Sequence, residues 1–201
     1  MFIAICGIDG SGKTTLAKML ATKLQGSSDL PRATYTKLIS ADSDIMKYFN
    51  LFKAEDPSFD SRVQNYVFAF ERLRAAIQDL TPLLERHDHV VVDRYVYCDL
   101  AFAKSRGHDN GVHRAMLRHL PRPDVCFVTD VAVDLALRRI HAREIAPTPD
   151  QETEPLLTGA RQAYLELAEE FGFSVIDSSA DPDTALDRML QILAGIGVHP
   201  A

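Results

Sequence analysis

The stretch Gly7-Ile-Asp-Gly-Ser-Gly12-Lys13-Thr14-Thr15 constrains this chain more than any other, because it dictates what must stand on either side of it. A short apolar run, Phe2-Ile-Ala-Ile-Cys6, stops at Gly7. Beyond Thr14, the apolar residues Leu16, Ala17, Leu20 and Leu24 recur at helical spacing. Strand, glycine-rich loop and helix follow in the order that a phosphate-binding P-loop requires. Glycines let the backbone curl so that successive N–H groups point inward as an anion nest. The nest sits on the N-terminus of the following helix, where unpaired N–H groups favour negative charge. Gly7, Asp9, Gly10, Ser11, Gly12, Lys13, Thr14 and Thr15 are therefore the expected holders of a nucleoside triphosphate, ATP or GTP. Lys13 is placed to reach the β- and γ-phosphates, and the Thr14 hydroxyl to hold Mg²⁺.

Composition narrows the partners. The 201 residues carry a net charge of −6, which argues against a polyanion such as DNA or RNA, since that affinity depends on clustered Lys and Arg. A nucleotide needs only a few local cations. No run of 18 apolar residues exists, so no membrane span is expected. Cys6, Cys98 and Cys126 are far apart and odd in number, and two of them lie in apolar runs. They read as small core residues of a reducing, cytoplasmic protein.

Along the chain, strand signals alternate with helical ones. Apolar runs stand at Phe2–Cys6, Ala33–Ile39, Val90–Val92, Val125–Val128 and Phe173–Ile176. Helical patterns stand at Thr14–Leu24, Ile45–Phe52, Phe59–Arg86, Asp99–Ser105, Val112–Leu120, Val133–Arg143, Pro155–Phe171 and Pro182–Leu193. Five short apolar strands separated by helices predict an α/β fold with a five-stranded parallel sheet covered on both faces. Pro82 is expected to bend or interrupt the long Phe59–Arg86 stretch. No repeat or linker marks a boundary, so residues 1–201 read as a single domain. The segment Glu144–Glu154 has two prolines, four acids and no apolar periodicity. It is either a plain exposed connection or a mobile lid over a bound substrate.

Val90-Val-Val-Asp93-Arg94-Tyr95 is a strand ending in an acid and a base. In an open parallel sheet, ligands sit off the carboxyl ends of strands, so Asp93 and Arg94 emerge where the P-loop does. Asp93 can hold Mg²⁺ directly or through water, and Arg94 can fork onto a phosphate. Phe68 and Arg72, four apart on one helical face, either stack and hydrogen-bond a base or are a core phenylalanine beside a solvated arginine. His87-x-His89 has metal-pair spacing but no third ligand nearby.

The P-loop with its internal acid resembles that of the thymidylate kinases. So does Phe68-Ala-Phe-Glu-Arg72, followed by Asp93-Arg94-Tyr95, with Tyr164-Leu-Glu-Leu late on a helix. The resemblance implies a P-loop NTPase three-layer sandwich with a helical lid at about 139–155, ATP as phosphoryl donor, Mg²⁺ and a nucleotide acceptor. It implies that Arg94 binds the acceptor 5′-phosphate, Phe68 stacks its base, Arg72 reaches a base carbonyl and Asp9 lies near its sugar and the metal. Lys37, Cys98, Asp99, Phe102 and Tyr164 fall along the acceptor, while Arg139 and Arg143 clamp the transferring phosphoryl. Family members are often dimers, so a homodimer is a further implication.

The departures are specific. Lys37-Leu-Ile-Ser stands where that family usually carries Arg-Glu-Pro-Gly. Cys98 replaces a Ser or Thr, and Ala101-Phe102-Ala103 replaces Ala-Tyr-Gln. The lid lacks the Asp-Arg pair that often follows its first arginines. The expectation is an ATP-dependent kinase acting on a pyrimidine deoxynucleotide such as dTMP. Two alternatives stay open: a divergent member phosphorylating a modified nucleotide or a non-nucleotide metabolite, and a nucleotide-driven switch or binding module.

Overall fold

The computed structural model describes residues 1–26, 32–39, 43–55, 60–108, 111–143 and 152–198. Five parallel strands form one sheet: β1 (Phe2–Gly7), β2 (Ala33–Thr36), β3 (His89–Asp93), β4 (Val125–Asp130) and β5 (Ser174–Asp177). Their spatial order is β2-β3-β1-β4-β5. The register pairs Ala4 with Val92 on one side and with Cys126 on the other, so β1 is the central strand. The order reverses direction at β1, and a doubly wound sheet binds its ligand at such a switch point.

Period-two alternation in the strands builds two cores. Phe2, Ala4, Cys6, Val90, Val92 and Val128 face one layer, packed with helices α3 (Ser61–Ala75), α5 (Val96–Ser105) and α8 (Glu154–Phe171). Ile3, Ile5, Val91 and Phe127 face the other, packed with α1 (Lys13–Gln25) and α9 (Pro182–Gly195). The result is the expected three-layer α/β sandwich. The edge strands depart from the all-buried reading: β2 is only half-buried, and two of the four β5 residues are exposed. β2 also ends at Thr36, short of the expected Ile39, because its register partner β3 ends one position past Val92.

The remaining helices are α2 (Asp44–Glu55), α4 (Thr81–Arg86), α6 (Gly111–Met116) and α7 (Val133–His141). The expected long helix begins at Ser61, capped by the Asp60 carboxylate, which accepts from Arg62 N at 2.8 Å. Pro82 interrupts it in a definite way. The turn Ala76–Leu80 widens to a π-helix before α4 restarts with Pro82 in its first turn. A proline lacks the N–H for an i→i−4 bond and its ring crowds that carbonyl, and a widened turn removes both conflicts. Helix α5 begins at Val96, three residues before the expected Asp99, because its first turn is itself buried: Val96, Tyr97 and Cys98 are core. Helix α6 ends at Met116 rather than Leu120. Residues 144–151, the middle of the expected lid, lie outside those described, as does Phe59.

Candidate active site

Two glycines show why the loop after β1 must be glycine-rich. Gly7 has φ +140°, and a Cβ there would stand 2.5 Å from the Thr129 carbonyl oxygen. Gly10 has φ +81°, and its Cβ would meet the Ala136 backbone of α7 at 2.4 Å. The loop is thus wedged between β4 and α7, in a conformation that side chains would both strain and block. Ser11 and Thr129 hydroxyls meet at 2.7 Å, and Thr129 donates in turn to the Cys6 carbonyl at 3.1 Å. Thr129 was not singled out by sequence. Its position at a strand end beside the loop was the available signal.

Lys13 is buried, its Nζ donating to the Ile8 carbonyl at 2.6 Å and standing 3.7 Å from Asp9 Oδ1. Burial, followed by the Arg94 charge, lowers its ammonium to about 8. Asp9 is the hinge between Lys13 and Arg94, which also ion-pairs with it. Burial alone would raise the Asp9 carboxyl; the Arg94 and Lys13 charges outweigh it and hold it at about 2. Arg94 itself adopts φ +69°, the only positive φ outside glycine among the described residues. Non-glycine residues in that region are strained and cluster at functional positions. Here the left-handed turn swings the guanidinium off the end of β3 and back over Asp9.

Thr14 and Asp93 meet as the sequence anticipates: the Thr14 hydroxyl donates to Asp93 Oδ2 at 2.5 Å. A residue that sequence missed joins them, the Tyr35 hydroxyl, 3.2 Å from the same oxygen. In the sequence Tyr35 stands only as part of an apolar strand. Asp93 is fully buried, and its Oδ1 has no hydrogen-bond partner among the described residues. An orphaned buried carboxylate oxygen beside a threonine hydroxyl is a hard oxygen set, which fits Mg²⁺. Among the described residues no group of three or more His, Cys, Asp or Glu could hold a metal by itself.

Two cavities flank the loop. The first, about 400 Å³, is lined by Asp9, Lys37, Ile39, Met46, Phe68, Arg72, Arg94, Cys98, Asp99 and Phe102, with Asn50, Asn65, Arg106 and Glu152. Arg72 is not a solvated arginine but a buried one. Its Nε and Nη2 donate to Asp99 at 3.0 and 2.9 Å, and its Nη1 donates to the Arg94 carbonyl at 3.3 Å. Tyr164 stands outside the lining. It is buried behind Phe102, the two rings edge-to-face at 6.4 Å. Burial pushes the Tyr164 hydroxyl well above its usual range.

The second cavity, about 420 Å³, is lined by Gly10, Ser11, Gly12, Thr15, Leu16, Arg139, Arg143, Ser178, Ala180, Pro182 and Ala185. Arg139 is held across it by carbonyls, its Nη1 donating to Ser178 at 2.9 Å and Gly10 at 3.4 Å, its Nη2 to Ser179 at 3.2 Å. Arg143 reaches from the rim to Glu152 at 3.1 Å. The loop therefore separates two nucleotide-sized spaces. Asp9 and Arg94 line the first, and the adjoining Gly10, Ser11 and Gly12 line the second.

A family model for thymidylate kinase matches residues 5–188. The chain is 33% identical to a probable thymidylate kinase of Methanocaldococcus jannaschii, the match covering 89% of this chain and 87% of that one. It is 29% identical to probable thymidylate kinase 1 of Saccharolobus solfataricus over 95% of both. The fold is similar to that of the thymidylate kinase of Candida albicans, with a TM-score of 0.76 at 19% identity over 98% of this chain and 92% of the other. With the P-loop, the Asp93-Arg94 strand end and a cavity on each side of them already in place, the chain belongs to the thymidylate kinase family, a family of phosphotransferases.

Proposed function

We propose that this chain is a single kinase domain that transfers the γ-phosphoryl of ATP to the 5′-phosphate of a pyrimidine deoxynucleotide such as dTMP. The observation that carries this reading is a cavity on each side of the loop, the first lined by Asp9 and Arg94 and the second by Gly10, Ser11 and Gly12, with Lys13 ion-paired to Asp9. ATP occupies the second cavity with its base near Arg139 and its phosphates on the loop N–H groups. The acceptor occupies the first cavity, its ring against Phe68 and its phosphate on Arg94. Phosphoryl transfer needs alignment and neutralisation of charge more than covalent chemistry. Lys13 follows the migrating charge, and Arg143 at the rim adds to it. Mg²⁺, held through Thr14 and Asp93 together with the substrate phosphates, would neutralise charge on the donor.

On the acceptor side Phe102 lines the first cavity where the family usually presents a tyrosine, and Ala103, in place of the usual glutamine, is buried outside the lining. Apolar walls usually discriminate by about 10–200-fold, whereas buried hydrogen bonds manage several powers of ten. Closely related pyrimidine nucleotides such as dTMP and dUMP should therefore differ by no more than about a hundredfold in kcat/KM. The testing experiment is ADP release from ATP–Mg²⁺ across a panel of acceptors. Turnover of dTMP supports the reading. Failure of every nucleoside monophosphate would hand the site to a non-nucleotide metabolite, the second reading that Lys37, Phe102 and Ala103 favour.

A second copy of this chain is the proposed partner. Tyr48, Leu51 and Phe52 on α2, and Val63, Tyr66 and Phe70 on α3, are all exposed, as is Ile77 in the following π turn. Positions 63, 66, 70 and 77 keep the three-four spacing of one helical stripe, the pattern of a helix pair across a two-fold axis. Among the described residues no helix is long and apolar enough to cross a membrane. The three cysteines are buried and unpaired, which supports a cytoplasmic location.

A further inference from the structure

Arg139 on α7 and Arg143 just beyond it both line the second cavity, but they are held differently. Arg139 has its N–H groups spent on the carbonyls of Gly10, Ser178 and Ser179. Among the described residues the Arg143 side chain makes a single hydrogen bond, from Nη1 to Glu152 Oε1 at 3.1 Å. The Arg143 side chain is 44% exposed, whereas that of Glu152 is 8% exposed. Nearby arginine–carboxylate pairs are two-pronged: Arg72 grips Asp99 at 3.0 and 2.9 Å, and Arg161 grips Asp130 at 2.7 and 2.8 Å. Two parallel bonds fix a guanidinium; a single one lets it exchange partners. Glu152 also lines the first cavity, so its pair with Arg143 bridges the two spaces. Burial raises the Asp9 carboxyl, and the charges of Arg94, Lys13 and then Arg143 draw it down, so the Arg143 charge is already felt at the phosphate loop.

We infer that Glu152 is a positioning residue: it holds Arg143 back from the γ-phosphoryl while the first cavity is empty, and yields it when an anionic acceptor enters. This inference rests on the function proposed above. With ATP alone in place, the γ-phosphate must take Arg143 from a carboxylate that is almost out of water, and a buried charge stripped of its partner is costly. The arginine therefore stays with Glu152. An acceptor phosphate changes the balance, because it brings more negative charge into the cavity that Glu152 lines. Like charges repel strongly in a space poor in water, and two phosphates then compete with one carboxylate for the guanidinium. Glu152 precedes Thr153, the N-cap of α8, so its side chain can turn away without unwinding a helical turn. The consequence is control over water as a rival acceptor. Hydrolysis passes the γ-phosphoryl to water and gives ADP, inorganic phosphate and a proton; withholding Arg143 slows that loss until the proper acceptor is bound. In the sequence Glu152 is one of four acids in a segment without periodicity, and only the fold shows it buried against Arg143.

The test measures inorganic phosphate released from ATP–Mg²⁺ without acceptor, alongside dTMP-dependent ADP formation. It compares the wild type, Glu152→Gln, and Glu152→Gln combined with Arg143→Ala. Glu152→Gln should raise acceptor-free hydrolysis at least about tenfold, the scale of a hydrogen bond between charged groups. A merely structural role for Glu152 would lower activity and could not produce that gain. Adding Arg143→Ala should return hydrolysis to the wild-type level or below, because the released guanidinium is what acts. Unchanged acceptor-free hydrolysis in a folded Glu152→Gln overturns the inference, as does a gain that survives Arg143→Ala. If Glu152→Gln fails to fold, Glu152→Asp, which keeps the charge but withdraws it by a methylene from the 3.1 Å contact, decides by the same two outcomes. A wild type that phosphorylates no nucleoside monophosphate sinks the acceptor reading itself. Normal dTMP turnover with hydrolysis unaltered by Glu152→Gln sinks only the role of Glu152.

Discussion

The Thr14 hydroxyl donates to Asp93 Oδ2 at 2.5 Å, tying the first turn of α1 to the end of β3 across 79 positions of sequence. Tyr35 holds the same oxygen from the neighbouring strand. The other oxygen of Asp93 is thereby left buried and free to face an ion or its water. Tyr35 is a positioning residue in this arrangement. Tyr35→Phe should raise the Mg²⁺ concentration needed for half-maximal turnover by about tenfold, in the range of outer-shell substitutions elsewhere. A Mg²⁺ titration, with thermal unfolding measured in parallel, checks it. An unchanged midpoint would show that Thr14 alone orients the carboxylate.

On the proposed reading, Lys13→Ala removes a cation that acts on the transferring phosphoryl. Turnover should fall by about a hundredfold or more, the scale of losing one electrostatic donor in a site closed to water. Circular dichroism should show the fold retained. Near-normal ADP production from a folded variant would mean that Lys13 does not act on the transferring group.

Arg94→Ala should separate the two substrates. Loss of a charge-assisted contact to phosphate is expected to lower acceptor kcat/KM by about a hundredfold, with ATP affinity changed by no more than about threefold. Titrating each substrate against saturating amounts of the other measures both. Weakened ATP binding with normal acceptor kinetics would place Arg94 on the donor side.

Asp9 predicts the acid limb of stability. Its folded carboxyl is held at about 2 against an ordinary value of 3.8, because Arg94 and Lys13 outweigh the burial that opposes its charge. A depressed carboxyl contributes stability that is fully present above the unfolded value and is lost as pH falls through the folded one. Between about pH 4 and pH 2 the wild type should therefore lose stability more steeply than Asp9→Asn. Urea midpoints at half-unit pH steps provide the comparison, and parallel curves for the two proteins would refute the coupling.

The exposed stripe predicts assembly. Tyr66→Glu or Phe70→Glu places a charge on the face that carries Tyr48, Leu51, Val63 and Ile77. Light scattering after size exclusion should report a dimer for the wild type and a monomer for either variant. A monomeric wild type at micromolar concentration would remove the second copy from the account.

The local sequence determined whatever depends on neighbours in the chain. Glycines at 7, 10 and 12 next to an apolar strand and an apolar-striped helix can do little except make a phosphate loop, since backbone freedom and helix N–H groups are local properties. The alternation of apolar runs and helical stripes likewise specified the doubly wound sheet, and Pro82 announced the break that appears as the π turn. The lining of the first cavity was legible as far as the resemblance reached: Phe68, Arg72, Arg94, Asp99 and Phe102 do share one space. What only the tertiary structure decided is which groups pair. Tyr35 with Asp93, Ser11 with Thr129 and Arg72 with Asp99 are 58, 118 and 27 positions apart. No local propensity encodes such pairs. They form because crossover helices bring strand ends to one rim, and because a polar group buried at that rim must find its partner across the sheet.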